Sequence, residues 1–235
     1  MNIQNLSDED KANIYVECIG GYTSISYLKR CHGYEAAKEK GDIKAAEKVL
    51  KMCLNDEKMR SIREKYADAI LIPVIDRDNA LPIAFADYIG LAVCMSVLCL
   101  KIVSRKNLSA MERILYKPHF YGYIEPNKAY LLVDDIMTQG GTLSSLIQFT
   151  IKSGGYVCAV IVLAYAKYSR KLMSKYKNLI VLKQRFGEEI VDLFKYFGIS
   201  EGEIHYFTHP EMMYLMKFSN IENIKKKLRK IQLDR

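Results

Sequence analysis

The chain has 235 residues, of which 50% are hydrophobic and 26% are charged, and this composition is ordinary for a soluble globular protein that buries a core. The polar start MNIQNLSDEDK does not have the order of a signal peptide, which argues against export. The longest apolar stretch, Ile89 to Leu100, has about 12 residues, whereas a membrane-spanning helix needs roughly 20. The sequence therefore predicts a protein that is neither exported nor embedded in a membrane.

Six cysteines are scattered along the chain without a CxxC pair. This distribution favours a reducing, cytoplasmic location over a disulfide framework. The formal net charge is +8, which is compatible with either a nucleic acid or an anionic small molecule as the partner. Much of the excess charge lies in the segment IKKKLRK at 224–230, where a solvated face of a terminal helix is the simpler explanation.

The first elements predicted in chain order are two helices. Asp42 is suited to cap a helix in GDIKAAEKVLKMCL, and the next helix begins at Asn55 or Asp56. Residues 69–74, AILIPV, form an apolar run of strand length, and the polar loop IDRDN separates this run from a helix at about 81–91. The pattern up to this point is a helical lead-in followed by a strand, a loop and a helix.

Further strands are predicted from apolar runs in the rest of the chain. A run at 97–103 ends in SRKN, and a run at 130–133 has no polar alternation, which is typical of a strand buried on both faces. A helix begins after the glycine pair of the TQGGT segment and ends at the SGG segment. Two more strands are predicted at 156–163 and 178–182.

Strands that alternate with helices of this length indicate a parallel sheet built by right-handed crossovers. We therefore expect an α/β fold with a parallel, doubly wound sheet of about five strands, flanked by helices and extended by helical N-terminal and C-terminal additions. The predicted parts are a helical lead-in and candidate hood at 1–68, a core at 69–185 and a C-terminal helical extension at 186–235. We expect them to form one compact domain.

Four polar segments follow the predicted strands. They are DRDN at 76–79, SRKN at 104–107, DDIMTQGGT at 134–142 and YAKY at 165–168. Because ligands of open α/β sheets sit beyond the carboxyl ends of the strands, we expect these segments to converge on one edge.

The stretch YLLVDDIMTQGGTL at 130–143 carries the clearest chemical signal. Consecutive backbone N–H groups that lead into a helix bind anions, because those donors are free and the helix dipole adds positive charge. The glycines let a phosphate approach closely, and Thr138 and Thr142 add hydroxyl donors. Asp134 and Asp135 are suited to sugar hydroxyls or to Mg²⁺. A phosphorylated sugar satisfies both halves, whereas an acidic helix cap beside a glycine turn is the alternative without a ligand.

These residues closely resemble the signature of the type I phosphoribosyltransferases. That signature is an apolar strand, two acidic residues, two apolar residues and a hydroxyl-rich loop that contains glycine. Here the same order is YLLV, Asp134 and Asp135, Ile136 and Met137, and TQGGT. Gln139 departs from the family, which usually has a small hydroxyl residue at that place. The resemblance is specific over about 14 residues, and the order of elements extends it over 69–182.

The resemblance implies that the loop binds the 5′-phosphate of phosphoribosyl pyrophosphate (PRPP). The residues of this cradle would be Thr138, Gln139, Gly140, Gly141 and Thr142. Asp134 and Asp135 would contact the ribose hydroxyls and would meet Mg²⁺ mostly through the substrate.

The family also has a pyrophosphate loop after its first core strand and a mobile loop after its second. Asp76, Arg77, Asp78 and Asn79 occupy the first place, although a surface turn with an internal ion pair explains them nearly as well. The counterpart of the mobile loop is 104–121, with the basic residues Arg105, Lys106, Arg113 and Lys117. By this resemblance, Arg105 would act in catalysis with the acidic pair.

Recognition of the acceptor base is the least defined part of the resemblance. Tyr165, Lys167 and Tyr168 follow the strand after the PRPP loop, where they could stack on or hydrogen-bond a ring. A hood over the base could come from Glu17 to Cys31 or from the chain beyond Phe186.

The resemblance implies a Mg²⁺-dependent phosphoribosyltransferase that transfers ribose 5-phosphate from PRPP to a nitrogen base and releases pyrophosphate. Family members are often dimers, so a homodimer is one option. The alternative is a catalytically inactive regulator that senses PRPP and binds nucleic acid through its basic surface. Nucleic acid is a partner only under that alternative.

Overall fold

A computed structural model describes residues 17–100, 103, 107–166, 172 and 178–234. The elements in chain order are β1 (Glu17–Gly20), α1 (Ile25–Arg30), α2 (Tyr34–Glu39), α3 (Ile43–Cys53), α4 (Asp56–Lys65), β2 (Ile70–Pro73), α5 (Leu81–Ile89), β3 (Val97–Leu100), α6 (Ala110–Leu115), β4 (His119–Gly122), β5 (Ala129–Met137), α7 (Gly141–Lys152), β6 (Tyr156–Tyr165), α8 (Asn178–Phe186), α9 (Glu189–Tyr196), α10 (Glu201–Ile204), α11 (His209–Leu215) and α12 (Ile221–Leu233).

Four parallel strands form the central sheet, in the order β1-β6-β5-β2. Alternate residues of β5 point to opposite faces, as the pleat of a strand requires. Leu131 and Val133 pack in a cluster with α1 to α5, whereas Leu132 packs in a second cluster with Leu146 and Ile147 of α7. Helices therefore cover both faces of a parallel sheet, which confirms the predicted α/β fold.

A third apolar cluster lies among the C-terminal helices α8 to α12. Met111 and Ile114 of α6 are completely buried in this cluster, although α6 lies between β3 and β4 in the sequence. The C-terminal helices are therefore fastened to the segment that precedes β5. The division of the chain at 68/69 and 185/186 stays a prediction.

The structure confirms where several of the predicted helices begin or end. The side chain of Asp42 accepts a hydrogen bond from the backbone N–H of Ala45 and caps α3, and Asn55 rather than Asp56 caps α4. The helix predicted after the glycine pair begins at the second glycine and spans Gly141–Lys152, and it ends at the SGG segment as expected. No helix in the described ranges is both long enough and apolar enough to cross a membrane.

Other predicted elements are wrong. Residues 178–182 belong to helix α8 and not to a strand, because Asn178, Leu182 and Phe186 recur at the helical spacing of four and are buried among helices. The sequence prediction also missed β1, which is the edge strand next to β6 and lies in the segment expected to be helical lead-in or hood.

The pairing of the second core strand also differs from the prediction. The described part of this strand, Val97–Leu100, pairs antiparallel with β4 in a separate two-stranded ribbon and not in the parallel sheet. A parallel bridge between Ile75 and Leu98 joins this ribbon to the end of β2. The segment expected to be a mobile loop contains helix α6 and the start of β4.

Candidate functional site

The candidate site lies at the carboxyl end of β5, where the acidic pair meets the glycine loop. The strand is longer than predicted and continues to Met137, so that Asp134 and Asp135 lie within it and not after it. Both carboxylates are buried, with residue exposures of 7% for Asp134 and 1% for Asp135. Their burial results from a strand whose two faces are covered by helices, and buried charges require partners.

The partner of Asp135 is Lys38, which lies on helix α2. The Nζ of Lys38 donates to both carboxylate oxygens of Asp135, at 2.8 Å to Oδ1 and 2.6 Å to Oδ2. The Nδ2 of Asn79 donates to Oδ1 of the same carboxylate at 3.4 Å. Asp135 is therefore held from two sides, by the N-terminal helices and by the DRDN loop.

The two carboxyl groups differ in their protonation. Burial, with a smaller contribution from Asp135, raises the pKa of Asp134 from its usual 3.8 to about 8. Burial would also raise the pKa of Asp135, but the ion pair and hydrogen bonds with Lys38 outweigh that effect and lower the pKa. At neutral pH the pair therefore consists of one protonated carboxyl and one carboxylate. The protonated group can donate a hydrogen bond, and the carboxylate can only accept.

Hydrogen bonds attach the DRDN loop to helix α2 and to the start of helix α5. The Oδ1 of Asn79 accepts a hydrogen bond from the backbone N–H of Leu81 at 3.2 Å, at the start of α5. The backbone N–H of Ala80 donates to the carbonyl of Ala37 at 2.8 Å. Arg77 and Asp78 are exposed at the tip of the loop. Asn79 thus positions Asp135, and Arg77 projects from the loop towards solvent.

The glycine loop forms the start of helix α7. Gly140 is the N-cap, with φ of +78°, a backbone conformation that glycine adopts without strain. No side chain caps this end of the helix. In the described part of the chain, the backbone N–H groups of Gly140, Gly141 and Thr142 donate to no other group. These are the free donors that an anion needs.

The other side of the same loop is covered by the C-terminal region. The hydroxyl of Thr208 donates to the carbonyl of Gln139 at 2.5 Å. A Cβ placed on Gly140 would lie 2.3 Å from Cδ1 of Leu172 and 3.4 Å from Cγ2 of Thr208. The side chain of Gln139 points to α6, where its Nε2 donates to the carbonyl of Ala110 at 3.5 Å. Gln139 is therefore half-buried in a protein contact and contributes no hydroxyl to the cradle.

Two predicted basic residues are placed by α6 and the chain that follows it. Arg113 donates from a guanidinium NH to Oγ1 of Thr138 at 3.2 Å, so it lies beside the glycine loop. Lys117 donates to the buried carboxylate of Glu211 at 2.8 Å and lies over the ring of Phe207. The ammonium of Lys117 thus belongs to the attachment of the C-terminal helices.

The remaining predicted site residues are described only in part. Tyr165 ends β6, pairs in register with Met137, and has its ring against Gly21. Arg105, Lys106, Lys167 and Tyr168 lie outside the described residues. Their roles stay predictions.

Sequence reasoning missed Lys38 and Thr208. No local pattern singles out Lys38, because its partner lies 97 residues further along the chain. Thr208 had a readable signal: with Glu211 three residues later it forms a capping box, in which each side chain bonds the backbone of the other residue. That signal predicts a helix start but not its contact with the glycine loop.

Comparisons with known proteins give partial likenesses. No family model matches the chain. Protein TraN of Escherichia coli is 28% identical over 164 residues, which cover 66% of this chain and 36% of that protein. An uncharacterized protein of Haemophilus influenzae is 33% identical over 129 residues, which cover 51% of this chain and 29% of that protein. The chain therefore spans about a third of the length of the curated relatives it matches.

Several solved structures are similar to part of this chain. A crystal structure of adenine phosphoribosyltransferase matches with a TM-score of 0.37 and 13% identity, over 55% of this chain and 74% of that chain. Purine phosphoribosyltransferase from Pyrococcus horikoshii matches with a TM-score of 0.34 and 20% identity, over 54% and 74%. UMP synthase of Leishmania donovani matches with a TM-score of 0.32 and 11% identity, over 64% and 31%. Likenesses at these TM-scores do not identify the activity of this chain.

Proposed function

We propose that the chain is a phosphoribosyltransferase that binds PRPP at the carboxyl edge of the sheet. One observation carries this proposal. A glycine loop with free backbone N–H donors opens helix α7 directly after a buried acidic pair, in one continuous segment from Asp134 to Thr142. The donors are suited to a phosphate, and the acidic pair is suited to the hydroxyls of the sugar attached to that phosphate.

The phosphate would bind on the open side of the loop. Thr138 is exposed and Thr142 is half-buried, so both hydroxyls are within reach of a ligand that approaches the N-terminus of α7. Arg113 beside Thr138 adds a positive charge at the rim of the loop. The contacts from Leu172 and Thr208 support the loop from behind, which keeps its geometry without using its N–H groups.

The acidic pair would bind the ribose as a donor and an acceptor. Each ribose hydroxyl can donate one hydrogen bond and accept others. Protonated Asp134 offers a donor and ionised Asp135 offers an acceptor, so the pair can bond two neighbouring hydroxyls without repelling the phosphates.

The reaction itself needs positioning and charge stabilisation more than a nucleophile. The bond between the anomeric carbon and pyrophosphate breaks, and its electron pair leaves with pyrophosphate. A bond from that carbon to a base nitrogen forms from the nitrogen lone pair, and the nitrogen then releases its proton. The sugar ring carries positive charge in a transition state that resembles an oxocarbenium ion, so fixed groups around the sugar that stabilise this charge lower the activation barrier. Arg105 and Lys106 would meet the leaving pyrophosphate.

A Mg²⁺ ion held by the protein does not fit the acidic pair as the chain folds. The ammonium of Lys38 already lies within 2.8 Å of both oxygens of Asp135. Among the described residues, no group of three or more His, Cys, Asp or Glu side chains could hold a metal ion. We therefore assign Mg²⁺ to the substrate, as the ion that accompanies the pyrophosphate of PRPP.

Release of pyrophosphate from PRPP, measured against a panel of purine and pyrimidine bases, tests the proposal. We expect turnover with at least one base, and loss of turnover in the double variant Asp134→Asn with Asp135→Asn. Circular dichroism should show that the double variant remains folded, since two neutral amides replace one neutral and one paired carboxyl. Unchanged PRPP affinity in that variant would contradict the assignment of the acidic pair.

The alternative is a regulator that binds PRPP without transferring it. The engagement of Lys117 by Glu211 favours this alternative, because one expected pyrophosphate contact is used in the fold. PRPP binding without turnover on any base, together with salt-sensitive binding of DNA or RNA, would favour the regulator. A cytoplasmic location and a homodimer stay predictions under either function.

A further inference from the structure

The ammonium of Lys38 occupies the position that a cation would take at the acidic pair. It contacts both oxygens of Asp135, at 2.8 and 2.6 Å, and the side chain of Asp135 is 2% exposed whereas that of Lys38 is 32% exposed. The lysine therefore closes the carboxylate from the side of helix α2. Asn79 adds a third hydrogen bond to the same carboxylate, from the DRDN loop.

The charges of this group disfavour a divalent ion. Two carboxylates and one ammonium carry at most one net negative charge, and protonation of Asp134 brings the sum to zero. Mg²⁺ needs oxygen ligands at about 2.1 Å, and an ammonium bound to the same oxygens would repel it. An uncharged hydroxyl differs from a divalent ion in this respect, because it can exchange hydrogen bonds with the pair without being repelled by the ammonium.

We propose that Lys38 is a positioning residue of the phosphoribosyl site, whose ammonium replaces a divalent cation at the acidic pair, so that Asp134 and Asp135 bind the uncharged vicinal diol of a ribosyl phosphate. This inference rests on the proposed function. It assigns the metal to the pyrophosphate of the substrate and gives the N-terminal helices a direct part in substrate binding.

The proposal explains why the helical segment before the core is joined to the site. Helix α2 contributes Lys38 to Asp135 and the carbonyl of Ala37 to the backbone of the DRDN loop. The same short helix therefore fixes both the acidic pair and the loop expected to meet pyrophosphate. Loss of the ammonium would free Asp135 to rotate or to take a metal ion.

The first test measures Mn²⁺ binding by electron paramagnetic resonance, with Mn²⁺ as the probe because its oxygen ligands match those of Mg²⁺. We expect the unmodified chain without substrate to bind no Mn²⁺ at the acidic pair up to about 1 mM, where the Kd values of weak metal sites lie. Lys38→Met should acquire a site, and adding Asp134→Asn and Asp135→Asn should remove it again. Lys48→Met, an exposed lysine on α3, is the matched control and should acquire none.

The second test measures binding of ribose 5-phosphate by calorimetry. We expect Lys38→Met to weaken binding about tenfold or more, as loss of one well-placed interaction does, and Lys38→Arg to restore most of the affinity. Lys48→Met should bind as the unmodified chain does. Equal affinity in Lys38→Met and Lys48→Met would overturn the positioning role.

The two tests separate the inference from the proposed function. If the unmodified chain does not bind ribose 5-phosphate, the proposed function fails, and the Mn²⁺ measurement still decides what Lys38 does. If Lys38→Met does not fold, Mn²⁺ binding by the unmodified chain becomes the deciding measurement. Tight binding of Mn²⁺ by the unmodified chain, lost in the double variant Asp134→Asn with Asp135→Asn, would overturn the proposal. No Mn²⁺ binding by the unmodified chain, together with binding of ribose 5-phosphate by Lys38→Arg, would support it.

Discussion

The two halves of the candidate site are held by different physics. The acidic pair is held through Asp135 by the charge of Lys38 and by a hydrogen bond from Asn79, both from the chain that precedes β5. The glycine loop is held by shape and neutral hydrogen bonds, through Leu172 and Thr208 from the chain that follows β6. The acidic pair should therefore respond to pH and to changes of charge, whereas the glycine loop should respond to changes of side-chain volume.

The largest expected effect is a pH dependence of stability that originates in Asp134. Its pKa is about 8 in the folded chain, against a usual 3.8, so the folded state binds this proton more tightly than the unfolded chain between those values. The free energy of unfolding should therefore fall as pH rises from about 5 to 8, by on the order of 1 kcal/mol per unit. Urea unfolding at several pH values measures this slope.

The matched variant is Asp134→Asn, which cannot titrate. Its stability should depend less on pH over the same window, and it should exceed that of the unmodified chain at pH 8, because no buried charge develops beside Asp135. The groups around this carboxyl, Asp135, Lys38 and Tyr34, remain unchanged. Equal slopes in the two proteins would show that Asp134 is ionised throughout.

The next effect is the loss of the ion pair at Asp135. Lys38→Met leaves the buried carboxylate of Asp135 without a countercharge, with hydrogen bonds from groups such as Asn79 and the Ile136 backbone, and buried charges without a countercharge are costly. Because the Lys38 side chain is about one third exposed, we expect a loss of about 2 kcal/mol rather than the full value for a deeply buried pair. Thermal unfolding measures the loss, and Lys48→Met should change stability little.

An effect of similar size is expected at the glycine loop. Gly140→Ala places a Cβ against Leu172 at a residue with φ of +78°, so both strain and a contact oppose it. Gly198 has φ of +80° and nothing within 4 Å, which makes Gly198→Ala the matched control for backbone strain alone. We expect losses of about 2 kcal/mol at Gly140 and about 1 kcal/mol at Gly198, measured by urea unfolding. Equal losses of stability in the two variants would mean that the Leu172 side chain moves away from the added Cβ at no cost.

The smallest expected effect concerns the support behind the loop. Thr208→Val removes the hydroxyl that bonds the Gln139 carbonyl and caps α11, and should cost about 1 kcal/mol. Thr208→Ser keeps the hydroxyl and should remain near the original stability. Affinity for inorganic phosphate should fall in the valine variant only. If phosphate affinity is the same in both variants, the loop does not depend on this support.

Local signals in the sequence were sufficient for the elements whose causes are local. The Asp42 cap, the apolar run of β5 and the glycine-led start of α7 each depend on neighbouring residues, and each is present in the structure. The prediction failed where apolar runs were short. Residues 178–182 have strand-like composition, but their partners are helices, and β1 has four residues that form a strand only beside β6.

Sequence patterns alone indicated the α/β class and the segment proposed to bind a phosphate and a sugar, because strand runs, glycines and adjacent carboxylates are readable over about a dozen residues. The pairing of Asp135 with Lys38 and the contact of Gly140 with Leu172 are visible in the folded chain alone. Both contacts join residues that are far apart in the chain. Their formation depends on how the helices pack around the sheet, and no local pattern encodes that packing.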